Sequence, residues 1–173
     1  MKISIKDITL IGMMVAVIEV CKIALSFLPN IELVSFWIIM FTLFFRKRVA
    51  LVLPVFVTIE GALYGFGMWW IAYLYIWPIL AIITHIFRKN DSVWFWSILS
   101  GTFGLFFGML SAVPYVFMGA VGGSIMSGLK AGFAWWVSGI PWDVVHCIGN
   151  FCLMLALYRP VRNVLRKVNL FNN

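Results

Sequence analysis

The fold class this sequence predicts is an all-α integral membrane protein: a six-transmembrane-helix bundle with both termini cytoplasmic. Three observations carry it. Of 173 residues, 64% are apolar and only 11% charged, whereas a soluble domain carries about a quarter charged residues and roughly half apolar ones. The apolar residues fall in six runs separated by short polar turns. At about 20 residues per crossing, six spans need roughly 120 residues and leave about 50 for loops and ends. The bases, finally, gather on alternate turns. A polar shell for a globule of this size cannot be built from six acids and thirteen bases, so composition excludes a soluble enzyme, a disordered chain, a coiled coil and a disulfide scaffold.

The chain reads as one transmembrane domain, 1–173. The first run, about 8–28, follows Lys2, Lys6 and Asp7. Lysines ahead of an apolar stretch resemble a secretory leader. However, Glu19 and Lys22 interrupt this one, and Ile18-Glu19-Val20-Cys21 lacks the small residues of a cleavage site, so the run is expected to stay as a span. Pro29-Asn30 ends it, because a residue before proline leaves the helical region and Asn favours turns. The second run, about 32–45, closes at Arg46-Lys47-Arg48. The third, about 49–64, carries Pro54 and is broken by Gly65-Phe66-Gly67. The fourth, about 68–87, meets Arg88-Lys89-Asn90-Asp91, and the fifth covers about 92–118. Residues 119–132, with five glycines and two serines, read as the longest flexible segment, either a plain connector or a lid that opens at low cost. The sixth run, about 133–158, ends before Arg159-Pro160.

Eleven bases (Lys2, Lys6, Arg46, Lys47, Arg48, Arg88, Lys89, Arg159, Arg162, Arg166 and Lys167) fall on the side holding both termini; Lys130 stands alone opposite, and Lys22 lies inside a span. Lys and Arg mark cytoplasmic loops, so both termini are expected in the cytoplasm of a cell-membrane protein, with 29–32, 65–68 and 119–132 facing outward. Bases placed between apolar runs are topology signals, and no nucleic-acid partner is expected. Cys21, Cys147 and Cys152 sit in apolar runs, odd in number and without CxxC spacing, and read as small packing residues. No internal repeat is evident.

Charged residues inside spans are costly and usually face a cavity or a partner. Glu19, Lys22, Glu32, Glu60 and Asp143 qualify. Glu19 and Lys22 share a helical face, so they either neutralise each other or leave Lys22 to a ligand. Glu60 and Tyr64 are a turn apart. Asp143, His146 and Asn150 form one stripe at i, i+3 and i+7, which either faces a ligand or hydrogen-bonds helices together. Among nine tryptophans, Trp69-Trp70 and Trp135-Trp136 are adjacent. Neighbours on a helix differ by about 100°, so at least one of each pair turns to the interior or a loop. Trp77 and Trp142 lie deeper, Trp94 and Trp96 read as belt residues, and Tyr73 and Tyr75 add aromatic edges. An outward cavity lined by Trp and Tyr, with a few acids and one lysine, suits a small flat polar molecule. Gly101, Gly104, Gly108, Ser111 and Ala112 allow close helix approach, and Gly12 and Ala16 form a small-xxx-small pair. GxxxxGK[ST], HExxH and GxSxG are absent. No enzyme, cofactor or metal site is therefore expected, and uphill pumping would draw on a partner or an ion gradient.

Over its whole length the chain resembles the substrate-binding subunits (S components) of energy-coupling factor (ECF) vitamin transporters, in size, span number, cytoplasmic ends and lack of an ATPase motif. Gly12-x-x-x-Ala16 resembles that family's docking motif, with Gly for the usual first Ala. Gly139-Ile140-Pro141-Trp142-Asp143-Val144-Val145-His146-Cys147-Ile148-Gly149-Asn150 resembles its final-span segment near the ligand. The resemblance implies high-affinity uptake of a water-soluble vitamin, with a transmembrane coupling subunit and two ATPase subunits as partners. It places the ligand against Asn30, Glu60, Tyr64, Trp69, Trp70, Trp136, Asp143, His146 and Asn150, to which the charge and aromatic patterns add Lys22 and Tyr73. Metal-transporting relatives carry a His after the start Met; Met1-Lys2-Ile3 argues against nickel or cobalt. A vitamin B6 form, a thiamine precursor and a corrinoid stay open as ligands. Two other classes stay open too: an ion-coupled carrier using Glu19 and Glu60, and an enzyme using Asp143 and His146 as an acid/base pair, for which no nucleophile is evident.

Overall fold

The 12 residues Val34–Phe45 hold no charge and are apolar on nearly every side, and a helix of that kind has to be buried all round. In the computed structural model, which describes residues 4–170, they form the central helix. Nine of the twelve are buried, and the one buried hydroxyl with a partner there, Thr42 Oγ1, donates to the Ile38 carbonyl at 2.7 Å. The described residues are all-helical, without a strand: α1 (Ile5–Ala24), α2 (Val34–Phe45), a 3-10 turn (Arg46–Arg48), α3 (Val49–Tyr64), α4 (Met68–Ile86), α5 (Val93–Leu105), α6 (Phe107–Ser111), α7 (Val113–Val121) and α8 (Ile125–Leu170). Helices α1, α3, α4, α5 and α8 all pack against α2. Lys2 and the Met1-Lys2-Ile3 start lie outside the described residues.

Two helices, Met68–Ile86 and Ile125–Lys167, are long and apolar enough to cross a membrane, and Val93–Leu105 with Phe107–Val121 make a third such segment, bent by 42° at its break. The other runs fall short for visible reasons: α2 and α3 have 12 and 16 residues, and α1 carries Lys6, Asp7, Glu19 and Lys22.

Contacts gather the basic turns at one end of the bundle. Asp7 accepts from the Ser4 amide at 3.0 Å and from Arg48 Nε at 2.7 Å, while Ser4 Oγ accepts from the Asp7 amide at 3.2 Å. The result is a reciprocal cap on α1 tied to the 3-10 turn. The Ser4 hydroxyl first, then its amide and the Arg48 guanidinium, hold the Asp7 carboxyl down at about 2. Arg162 pairs with Asp91, and Arg46, Lys47 and His85 share one groove.

Two sequence expectations are corrected. The stretch 119–132 is no loose connector: helix continues to Val121, three residues turn, and α8 starts at Ile125. Its glycines serve contact rather than looseness, since a Cβ on Gly119 would lie 2.9 Å from the Gly128 Cα. The same seam runs down α5, where a Cβ on Gly104 would lie 2.9 Å from the His146 carbonyl and one on Gly101 would lie 3.2 Å from that of Cys147. The run 92–118 is built from α5, α6 and most of α7, and α8 extends on both sides of 133–158. Trp96 is no belt residue: its ring is fully buried and its indole N–H donates to the Asn90 carbonyl at 2.9 Å.

Candidate functional site

At the end opposite the basic turns lies a cavity of about 580 Å³, walled by the α1–α2 turn, the last turn of α3, the first turns of α4, α6 and the middle of α8. Two backbone features shape its rim. Asn30 holds φ 56° in the turn after α1, a conformation Asn tolerates better than most residues. Gly65, at φ 91°, stops α3 just after Tyr64 and donates its N–H to the Gly61 carbonyl at 2.9 Å.

Polar groups converge from three helices. Lys22 bonds Glu60, joining α1 to α3, rather than Glu19 on its own helix. Its ammonium also sits 5.0 Å from the Tyr64 ring centre and 5.7 Å from that of Tyr73, within cation–π range. Glu60 is fully buried and its Oε1 has no partner. Glu19, also buried, lies beside the Glu60 carboxyl. From α8, Asp143 Oδ1 accepts from the Gly108 amide at 2.9 Å while Oδ2 has no partner. Position 108 has to be glycine for this approach, because a Cβ there would lie 2.7 Å from Oδ1. Glu32 lines the wall 3.9 Å from His146 Nε2. Trp69 meets the Tyr73 ring edge-on at 5.3 Å, and Trp135 stacks on Tyr115 at 3.9 Å.

Of the residues singled out from sequence, Lys22, Asn30, Glu60, Tyr64, Trp69, Tyr73 and Asp143 border this cavity. Four do not. The Trp70 indole N–H donates to the Val57 carbonyl at 2.8 Å and its ring meets Phe66. Trp136 packs on Phe133 at 6.2 Å, and its neighbour Trp135 takes the wall position. His146 lies a turn deeper, edge-on to Phe107 at 5.0 Å. Asn150, deeper again, donates to the Ser100 carbonyl at 3.3 Å. Sequence reasoning did not place Phe107, Ser111, Trp135 or Trp142 on the wall, and marked Glu32 as a charge facing a cavity or partner without setting it against the ligand. Glu32 carried a readable signal, an acid beside an apolar run; the choice between members of a tryptophan pair carried none.

Gly12 and Ala16 lie exposed on α1, and nothing stands within 4 Å of a Cβ built on Gly12. A larger groove, about 630 Å³, runs between α3 and α4 towards the basic end. It is apolar except near Arg46, Lys47 and His85 and lacks converging polar groups, so the smaller cavity is the functional candidate. Among the described residues no group of three His, Cys, Asp or Glu side chains is placed to hold a metal ion. The chain matches no protein-family model, no curated protein and no solved structure.

Proposed function

We propose that this chain is the substrate-binding S component of an energy-coupling factor transporter: six spans, both termini cytoplasmic, taking up a water-soluble vitamin or related small molecule. The cavity carries the reading. Its volume of about 580 Å³ falls in the ~300–1,000 Å³ range of small-molecule sites, and it combines ring-lined walls with Lys22, Glu32, Glu60 and Asp143. It sits away from the arginine and lysine turns, which the positive-inside rule assigns to the cytoplasm, so its mouth opens outward. The charges that keep α1 from reading as a plain span include Lys22, which borders this cavity, and Glu19 behind it. Without a phosphate loop in the sequence, energy comes from a transmembrane coupling subunit and two ATPase subunits, with Gly12 and Ala16 on the docking face.

Titrating the purified chain with a vitamin panel, followed by tryptophan fluorescence, tests binding; uptake by cells with and without a coupling module tests transport. Quenching by one compound and ATP-dependent uptake only with the module are expected. One observation favours a second reading, an ion-coupled carrier: two carboxyl groups, Glu19 and Glu60, are buried side by side. Uptake that persists with ATP depleted and a proton gradient maintained selects that reading, and chemical turnover of the bound compound selects an enzyme.

A further inference from the structure

We infer that the cavity takes a flat heteroaromatic ligand bearing an amino group or a protonated ring nitrogen, and rejects ligands carrying a carboxylate or phosphate. The inference rests on the cavity being the substrate site and narrows what that site accepts.

Three carboxyl groups, Glu32, Glu60 and Asp143, line the wall with a single ammonium, Lys22. That ammonium is already bonded to Glu60, so an anionic ligand would find no free cation and would meet Glu32 and Asp143 as like charges. The unsatisfied groups are acceptors. Asp143 is 5% exposed, yet its Oδ2 has no donor. Buried acceptors left bare are unfavourable, and N–H groups on a ligand edge are what would satisfy them. The ring faces point to the same ligand charge. Tyr64 and Tyr73 already lie within cation–π range of Lys22, and rings with negative faces attract a cationic or electron-poor ring. Trp69 and Trp135 add flat surface of the same character. A cavity of about 580 Å³ admits one or two small rings and is too small for a corrinoid.

The test uses the purified full-length protein and two probe sets sharing similar rings. The donor set is pyridoxamine and 4-amino-5-hydroxymethyl-2-methylpyrimidine; the anionic set is 4-pyridoxate and pyridoxal 5′-phosphate. At least one donor probe is expected to bind about 100-fold more tightly than either anionic probe. Asp143→Asn and Glu32→Gln, which keep shape and remove charge, are each expected to weaken it by about 10-fold. The inference is overturned if an anionic probe binds as tightly, or if neither donor probe binds at about 1 mM to protein that elutes as a single folded species. The wild-type comparison decides even where a variant fails to fold. Donor-probe binding without ATP-dependent uptake in cells holding a coupling module would leave the ligand class standing and remove the transporter reading. ATP-dependent uptake of an anionic probe would do the reverse.

Discussion

Asp143 and Asn150 sit on one face of α8, two turns apart, and do different work. Asp143 borders the cavity, keeping one oxygen on the Gly108 amide and leaving the other without a donor, whereas Asn150 spends its amide on the Ser100 carbonyl of α5. Asp143→Asn, whose amide oxygen can still accept from the Gly108 amide, is therefore expected to weaken ligand binding about 10-fold, the scale of a lost hydrogen bond to a charged group, with the melting temperature in detergent little changed. Asn150→Ala is expected to do the opposite, losing about 0.6–1.7 kcal/mol of stability as interhelical hydrogen bonds in membranes do while affinity holds. Equal effects of both on affinity, measured by fluorescence titration, would show that the stripe acts as one unit. Helical spacing made the shared face legible in advance. It could not rank the three residues by depth, because depth depends on where Phe107 and Ser100 of another segment come to lie. For the same reason the period of about 100° per residue showed that Trp69-Trp70 and Trp135-Trp136 must split, without saying which ring of each pair turns inward.

At the scale of elements, the α5–α8 seam is a close backbone joint. Gly104→Leu pushes a side chain into the His146 carbonyl, only 2.9 Å from where its Cβ would sit, and is expected to destabilise by about 1–3 kcal/mol, as overpacking does. A stabilised or unaffected variant in a thermal melt would show that the seam has slack. The start of α1 gives a pH test. Asp7 is held at about 2, below its ordinary 3.8, so its contribution is present in full above the ordinary value and fades as pH falls through about 2. The stability difference between wild type and Asp7→Asn is accordingly expected to be constant near neutrality and to close across that acid interval; a difference that persists below it would mean the cap does not depend on the charge. Breaks at Pro29-Asn30, Arg46–Arg48, Gly65 and Arg88–Asp91 were legible because turn chemistry and charge mark them in the sequence. Residues 119–132 misled because glycine serves two ends, backbone freedom and close helix approach, and composition alone does not separate them. The neighbour that decides is Gly128 facing Gly119.

For the whole molecule, the proposed docking face makes the sharpest separation between binding and transport. Gly12 and Ala16 are exposed on a helix that packs by its other side, through Ile11, Met14, Val15 and Ile18. Replacing both with Trp is expected to abolish uptake in cells holding a coupling module and to leave binding by the isolated chain intact. Uptake at wild-type level would remove this face from the coupling scheme. Helix α8 bears on how such coupling would act. Its 46 residues measure about 69 Å at 1.5 Å each, more than twice the ~30 Å of bilayer hydrocarbon. So long a spar has to lean or jut out at its ends. It carries Asp143 near its middle and Arg162 towards its C-terminal end, so a change of a few degrees in its tilt at the cavity would swing that end through several ångströms.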